Sequence, residues 1–343
     1  MDKTLTISQQ HIQQRLDVFC KNQFPLHSRA SLQKLIKEGA ISVNSRTVKP
    51  GYLLHLNDIV SVNLTQSVRP ELPPAELPVI PIIFEDQDIV VINKPAGLLV
   101  HTDALHEPSV AAWFAHRYPN LSVGEDNHRP GIVHRLDRDT SGVMVLAKSP
   151  LAFQQLKQQF KKHFAKKEYL ALVFGKPGGD DGRINQAIIR SKRNPSRRTI
   201  VPKNKASLFT GKMAITEWRI EKVLSNNFTL LRVYPLTGRT HQIRVHLHFI
   251  AHPIVGDHLY TFKRQQSPVG AKRQMLHAEQ LTIKLPNGNR KSYRAPLPED
   301  FTAVLQQLHY DYNPSTDTNQ PVSFRTPSSF QAKHISKPSK QKY

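Results

Sequence analysis

The sequence predicts an α+β protein in which a mainly antiparallel mixed sheet with helices is preceded by a small α+β module. Three observations carry this. Strand candidates succeed one another in the second half of the chain without the regular intervening helices of a doubly wound parallel sheet. The N-terminal segment joins two short helical patterns to short alternating runs. Between the two regions, residues 66–81 carry five prolines, which cannot donate to a sheet ladder and favour an extended linker.

At the N-terminus, RLDVFCKNQFPLHSRASLQKLIKEG predicts two helices, the second with Leu32, Leu35 and Ile36 on one side and Gly39 as its stop. AISVNSRTVKPGYLLHLNDIVSV then alternates apolar and polar residues between turn residues at Asn44 and Ser45, Pro50 and Gly51, and Asn57 and Asp58, as small antiparallel strands do. Beyond the linker, Ile82 to Phe84 and Ile89 to Ile92 read as paired strands. SPLAFQQLKQQFKKHF opens a helix with Ser149 as N-cap and Pro150 at its first position. Phe153, Leu156, Phe160 and Phe164 recur there at helical spacing and are read as core. EYLALVFG, AITEWRIEKVL and FTLLRVYPL are further strands, and LTIKLPNGNRKSYR is a hairpin turning at Asn287 and Gly288. The expected divisions are a module over 1–66, a linker over 67–81, a second domain over 82–310 and a disordered polar tail over 311–343.

The chain has 343 residues, 48 Lys plus Arg against 26 Asp plus Glu, a net charge of +22 and a pI near 10.1. Such an excess points to a polyanionic partner, because each phosphate neutralised releases counterions. A single cysteine, Cys20, excludes an intramolecular disulfide and a cysteine-cluster metal site. No apolar run follows a basic start, and none approaches the ~20 residues of a spanning helix. A cytoplasmic monomer with no membrane partner is expected.

The segment PGIVHRLDRDTSGVMVLAKS sets His134, Arg135, Asp137, Arg138 and Asp139 between apolar runs at Ile132–Val133 and Val143–Ala147, both read as buried strands. A local loop with Asp139, Thr140 and Ser141 bonding their own backbone is one reading. A carboxylate nucleophile or acid–base group in a basic cleft is the other. An aspartic protease pair would need a second copy of the turn, which the chain lacks. In VYPLTGRTHQIRVHLHFIAHPIVGD, a helix over 242–251 turns Ile243, Leu247 and Ile250 to the core and leaves Arg244 partly buried, in need of a carboxylate such as Asp137. His241, His246, His248 and His252 are read as hydrogen-bonded structural residues, and no metal is expected. The segment over 190–212 has eight basic residues and no acidic one, as a loop that meets a phosphate backbone would.

Together these segments resemble the RluA family of RNA pseudouridine synthases. Its patterns HRLDxxTSG and GRxHQIRxH stand in full at 134–142 and 238–246, supported by NKPAGLLVH at 93–101, KEYLALVFG at 167–175 and HPIVGD at 252–257. The resemblance spans about residues 80–310, while residues 12–65 resemble an S4 RNA-binding domain. It implies that Asp137 attacks a uridine so that the glycosidic bond breaks and re-forms at carbon 5, without a cofactor. It also implies Tyr169 against the flipped base, Arg244 in a salt bridge to Asp137, and Arg135 in the space the base vacates. RNA contacts are further expected from Lys94, His134, Arg239 and His241 around that site, from Arg197 and Arg198 in the basic segment, and from Arg29, Lys34, Lys37 and Arg46 in the S4-like module. Large-subunit ribosomal RNA is the first expectation for the substrate, with transfer RNA open. The alternatives are a binding protein that keeps the fold without catalysis, and a glycosidase, which would need a second acid about 5 to 9 Å from the first.

Overall fold

The computed structural model describes residues 2–24, 29–63, 77–102, 108–121, 123–124, 129–201, 211–224, 227–262, 265–268 and 270–313. The N-terminal module runs β1 (Asp2–Thr6), α1 (Leu16–Gln23), α2 (Arg29–Lys37), β2 (Ile41–Val43) and β3 (Ile59–Asn63). β3 lies between β1 and β2, antiparallel to both. Leu32 and Ile36 of α2 meet Leu16, Phe19 and Cys20 of α1 and Val60 and Val62 of β3 in one core, as the helical spacing predicts. Asn44, Ser45 and Asn57 take left-handed φ of 50°, 61° and 66° at two of the three expected turns. β1 has no counterpart in the sequence pattern: a short, half-polar run becomes a strand only by pairing with β3.

The second region continues with β4 (Ile82–Glu85), β5 (Ile89–Lys94), α3 (Val110–Arg117), β6 (Ser141–Ala147), α4 (Pro150–Lys161), β7 (Lys166–Phe174), β8 (Asp181–Asn185), β9 (Ile188–Arg190) and β10 (Arg198–Ile200). Then come β11 (Ile215–Leu224), β12 (Phe228–Pro235), α5 (Gln242–Phe249), β13 (Leu276–Lys284), β14 (Arg290–Arg294) and α6 (Glu299–Gln307). Nine strands form one sheet in the order β4-β5-β6-β13-β7-β12-β11-β8, with β14 on β13. Every pairing is antiparallel except β6 with β13, so the sheet is mixed as predicted. β9 and β10 form a separate antiparallel pair, so the first part of the basic segment, expected as a loop, folds as the second strand of a hairpin, while its residues 202–210 lie outside the described ones.

Several expectations change. Ile132 and Val133 are not a strand: Ile132 makes only an isolated bridge to Leu146, and both are half-buried. Ser149 does cap α4, accepting from the Ala152 N–H at 3.2 Å, but the helix ends at Lys161 and Phe164 is 63% exposed instead of core. α5 stops at Phe249, two residues before the predicted end. Ile80, expected in the linker, is buried with Val90 and Ile92, and the Pro81 carbonyl accepts from the Asn93 N–H. The rest of the linker and nearly all of the tail, 64–76 and 314–343, fall outside the described residues. Neither α3 nor α6 is foreseen in the sequence. No helix among the described residues is long and apolar enough to cross a membrane.

Candidate active site

The loop that carries Asp137 runs directly into β6 and is fastened to β13 by the residues that follow it. Thr140 Oγ1 accepts from Gln274 Nε2 at 3.3 Å, and Ser141 Oγ meets His277 Nδ1 at 2.9 Å. Gly142 has φ 123°, and any Cβ there would run into the backbone of Ala278, its partner in the parallel pairing. The loop carbonyls are held by two buried basic side chains. Lys94 Nζ donates to the Arg138 carbonyl at 2.9 Å, and Arg273 Nη1 to the Asp139 carbonyl at 3.0 Å. Arg273 is in turn clasped by Asp300 of α6 at 2.6 Å. The backbone on the C-terminal side of Asp137 is thus fixed before any substrate arrives.

α5 supplies the opposing charge. Arg244 Nη1 donates to Asp137 Oδ2 at 3.1 Å, as the need of a buried guanidinium predicts. Its main partner is Asp257, which accepts from Nε at 2.7 Å and from Nη2 at 2.9 Å. The Asp257 side chain is fully buried and also caps the N–H groups of Leu259 and Tyr260. Burial alone would lower the Arg244 pKa, but the bonds and charge of Asp257, followed by those of Asp137, raise it, so this is a permanent cation. The sequence held a signal for Asp257: it is the first acidic residue after Arg244, and none stands between Glu221 and it.

Asp137 opens into a cleft of about 380 Å³ lined by Tyr169, Arg135, His134, Arg239, His241 and Arg244 among others. Seven of the residues singled out in the sequence therefore meet in one place, from loops, a strand and a helix, with Asp137 and Arg244 themselves 107 positions apart. Asp137 is the only carboxylate among the described residues that line it. Burial, and then the charge of Asp137, raises the pKa of the Tyr169 phenol, which stays neutral.

Comparison with known proteins gives the family of the chain. Residues 88–249 match the model of the RNA pseudouridylate synthase family, and residues 14–60 that of the S4 domain. An RNA pseudouridine synthase of Synechocystis is 37% identical over 86% of this chain and 89% of its own. The chain belongs to the RNA pseudouridine synthases. Ribosomal large subunit pseudouridine synthase D of Escherichia coli K12 is 34% identical over 92% of the chain and 96% of its own length. Among solved structures, human RNA pseudouridylate synthase domain containing 4 superposes with a TM-score of 0.52 at 28% identity, over 67% of this chain and 93% of that one.

Other expected RNA-contacting residues of the synthase are partly reassigned. Lys94 is fully buried and gives its three donors to the carbonyls of Pro95, Leu98 and Arg138, so it is a structural clamp and not an RNA contact. His134 stacks on Phe160 at 4.2 Å, and its Nε2 accepts from the Val145 N–H at 3.1 Å. Burial, with Lys167 adding to it, pushes His134 down to about 3, so it is a neutral wall of the cleft that offers no charge to phosphate. Arg135 is exposed at the mouth. Arg239 donates from Nε to the Met213 carbonyl, and Gln242 secures the same loop by accepting from Arg239 N–H and Thr237 Oγ1. His241 meets the Tyr260 hydroxyl at 2.9 Å. Tyr260, which no sequence pattern singles out, also accepts from the Arg198 N–H at 2.7 Å and lies against the guanidinium groups of both Arg197 and Arg244. It joins the basic hairpin to the residue that holds Asp137. His246 and His252 meet Thr216 and the Phe174 carbonyl, as structural histidines do. In the S4 domain Arg29, Lys37 and Arg46 are exposed, while the side chain of Lys34 lies outside the described residues. Arg29 is shared with the buried Asp17, at 2.9 Å.

Proposed function

We propose that this synthase isomerises uridines of large-subunit ribosomal RNA, with Asp137 as nucleophile on a uridine turned out of its stack into the cleft. The observation that carries this is a single carboxylate among the described residues that line the cleft, with a permanent cation aimed at one of its oxygens. A base inside a helix cannot reach such an atom, so the target leaves its neighbours first, and the exposed Arg135 takes the vacated place. Tyr169 supplies an aromatic face and an apolar wall for the uracil. Arg244 engages Oδ2 and leaves Oδ1 to attack the nucleoside. The bond between N1 and C1′ breaks, the uracil turns, and C5 bonds to C1′. C5 then gives up its proton, N1 gains one, and the carboxylate is released unchanged. No atom or electron is gained or lost overall, so the step needs no cofactor. The lone carboxylate also favours isomerisation over glycoside hydrolysis, which uses a pair.

The ribosomal substrate follows from the likeness to the large-subunit enzyme of Escherichia coli, which extends through the S4 domain. Two measurements test the proposal. Pseudouridine mapping of ribosomal and transfer RNA from cells with and without the gene should lose sites in the large-subunit RNA; loss confined to transfer RNA would reassign the substrate. Purified Asp137→Asn should bind RNA and form no pseudouridine, and turnover by that variant would remove Asp137 from the chemistry.

A further inference from the structure

The C-terminal end of α4 presents an aromatic side chain that the fold does not use. The Lys162 N–H bonds to the Gln158 carbonyl at 2.8 Å, His163 N–H to Phe160 at 3.4 Å and Phe164 N–H to Gln159 at 2.9 Å, with His163 at φ 61°. This is the Schellman ending, in which the residue after the left-handed one commonly packs its apolar side chain back on the last turn. Phe164 does not: it remains 63% exposed. Its surroundings are basic. Lys161, Lys162, His163 and Lys166 are all exposed, and no acidic residue stands between Asp139 and Glu168. The patch is continuous with the reaction site, because Lys161 and His163 line the cleft that holds Asp137. The cleft mouth is positive from the other side too: burial lowers the His163 imidazole, and the charges of Lys167 and then Arg239 lower it further.

We propose that the end of α4 is a second RNA subsite, where Phe164 stacks on a nucleobase of the strand leaving the cleft while Lys161, Lys162 and Lys166 take its phosphates. The proposal rests on the reading of the cleft as a uridine site. An exposed aromatic in a lysine setting is the arrangement by which proteins hold single strands with little regard to sequence. A protein partner would use the same phenylalanine but has no need of three unpaired lysines beside it.

The test is binding of the full-length protein to a fluorescently labelled single-stranded oligouridylate at several salt concentrations. Phe164→Ala should weaken Kd about tenfold. Its salt dependence should not change, since stacking releases no counterions. Phe164→Trp should restore the affinity. Replacing Lys161, Lys162 and Lys166 together by Gln should lower the salt slope by roughly 2, at about 0.7 per phosphate on a single strand. Thermal unfolding of Phe164→Ala should match the parent, because the side chain is outside the core. Parental affinity in Phe164→Ala overturns the proposal, as does a loss that Trp fails to restore. Pseudouridine formation by the parent protein on a large-subunit ribosomal RNA transcript is measured in parallel. No product there, with affinity still dependent on Phe164, would remove the ribosomal substrate and leave the stacking subsite standing.

Discussion

Arg244 answers two carboxylates with different geometry, and this separates its structural from its chemical role. The fork faces Asp257 through Nε and Nη2, while only Nη1 reaches Asp137. A lysine is a point charge that cannot serve both at once. Arg244→Lys should therefore lower kcat about 100-fold, the scale of a misplaced reacting group, with a smaller change in RNA affinity. Single-turnover rates and Kd on one RNA separate the two, and a rate near that of the parent would show that Asp137 needs no aimed cation. Asp257→Asn acts on the other side of the fork. It leaves a buried guanidinium without its principal counter-charge and should cost about 3 kcal/mol in denaturant unfolding. A loss under about 1 kcal/mol would mean that Asp137 alone compensates Arg244.

At the scale of elements, the junction of β6 and β13 decides where Asp137 sits. Arg273 reaches Asp300 of α6, the Asp139 carbonyl and Ser141 Oγ, so a C-terminal helix buttresses a loop more than a hundred residues earlier. Arg273→Met fills the volume but leaves buried acceptors unmet, with an expected cost of about 2 kcal/mol. kcat should fall while RNA affinity holds, since Arg273 is not among the residues lining the cleft. Unchanged kcat in a folded variant would show that the loop keeps its place without this clasp.

The S4 core has a comparable lock in Asp17. Burial alone would raise its carboxyl, but hydrogen bonds from Arg15, Gln33 and Arg29 bring it down from 3.8 to about 2. A depressed folded pKa means stability that is complete above the unfolded value and lost as pH falls through the folded one. About 2 kcal/mol should thus disappear between pH 4 and 2. Cys20, buried beside it and the only cysteine, is a reporter. Its labelling by an acid-tolerant pyridyl disulfide should accelerate across that window, and Asp17→Asn should flatten the response. Equal pH profiles in the two proteins would show that Asp17 is not the acid-sensitive lock.

For the whole molecule, charge and modularity set how RNA is gathered. The net charge of +22 is distributed over an S4 domain with exposed Arg29, Lys37 and Arg46 and a catalytic region with a positive cleft mouth. A deletion that tests the S4 domain must remove residues 1–66, because β1 belongs to its sheet and would be left unpaired by a cut at residue 12. The shortened synthase should fold, bind RNA more weakly, and show a salt slope shallower by roughly 0.7 to 0.9 for each phosphate that the S4 domain no longer neutralises. Turnover at saturating RNA should change less than Kd, since Asp137, Tyr169 and Arg244 all remain. Identical slopes would mean that this domain touches something other than the RNA tested.

The sequence by itself determined the local order. Helical spacing announced α2, α4 and α5, apolar runs, alternation and turn residues announced most strands from β2 onward but not β8, β9 or β10, and a charged guanidinium in an apolar helix announced that a carboxylate would be near. Each of these is short-range physics, in which neighbours along the chain decide the outcome. The segments that carry Asp137 and Arg244 were legible for the same reason, since polar residues set against apolar runs demand an explanation, whereas Tyr169 was singled out only by the resemblance to the synthase family. Only the tertiary structure decided what each side chain meets. It assigned Asp257 as the main partner of Arg244, turned Lys94 from a surface cation into an internal clamp, made His134 a neutral wall, and left Phe164 outside the core. β1 exists because β3 offers it an edge, and α6 is tied to the loop of Asp137 through Arg273. Such pairings bring together groups distant in sequence, and spacing along a chain does not say which of several carboxylates, carbonyls or strand edges will be within reach once the chain has closed on itself.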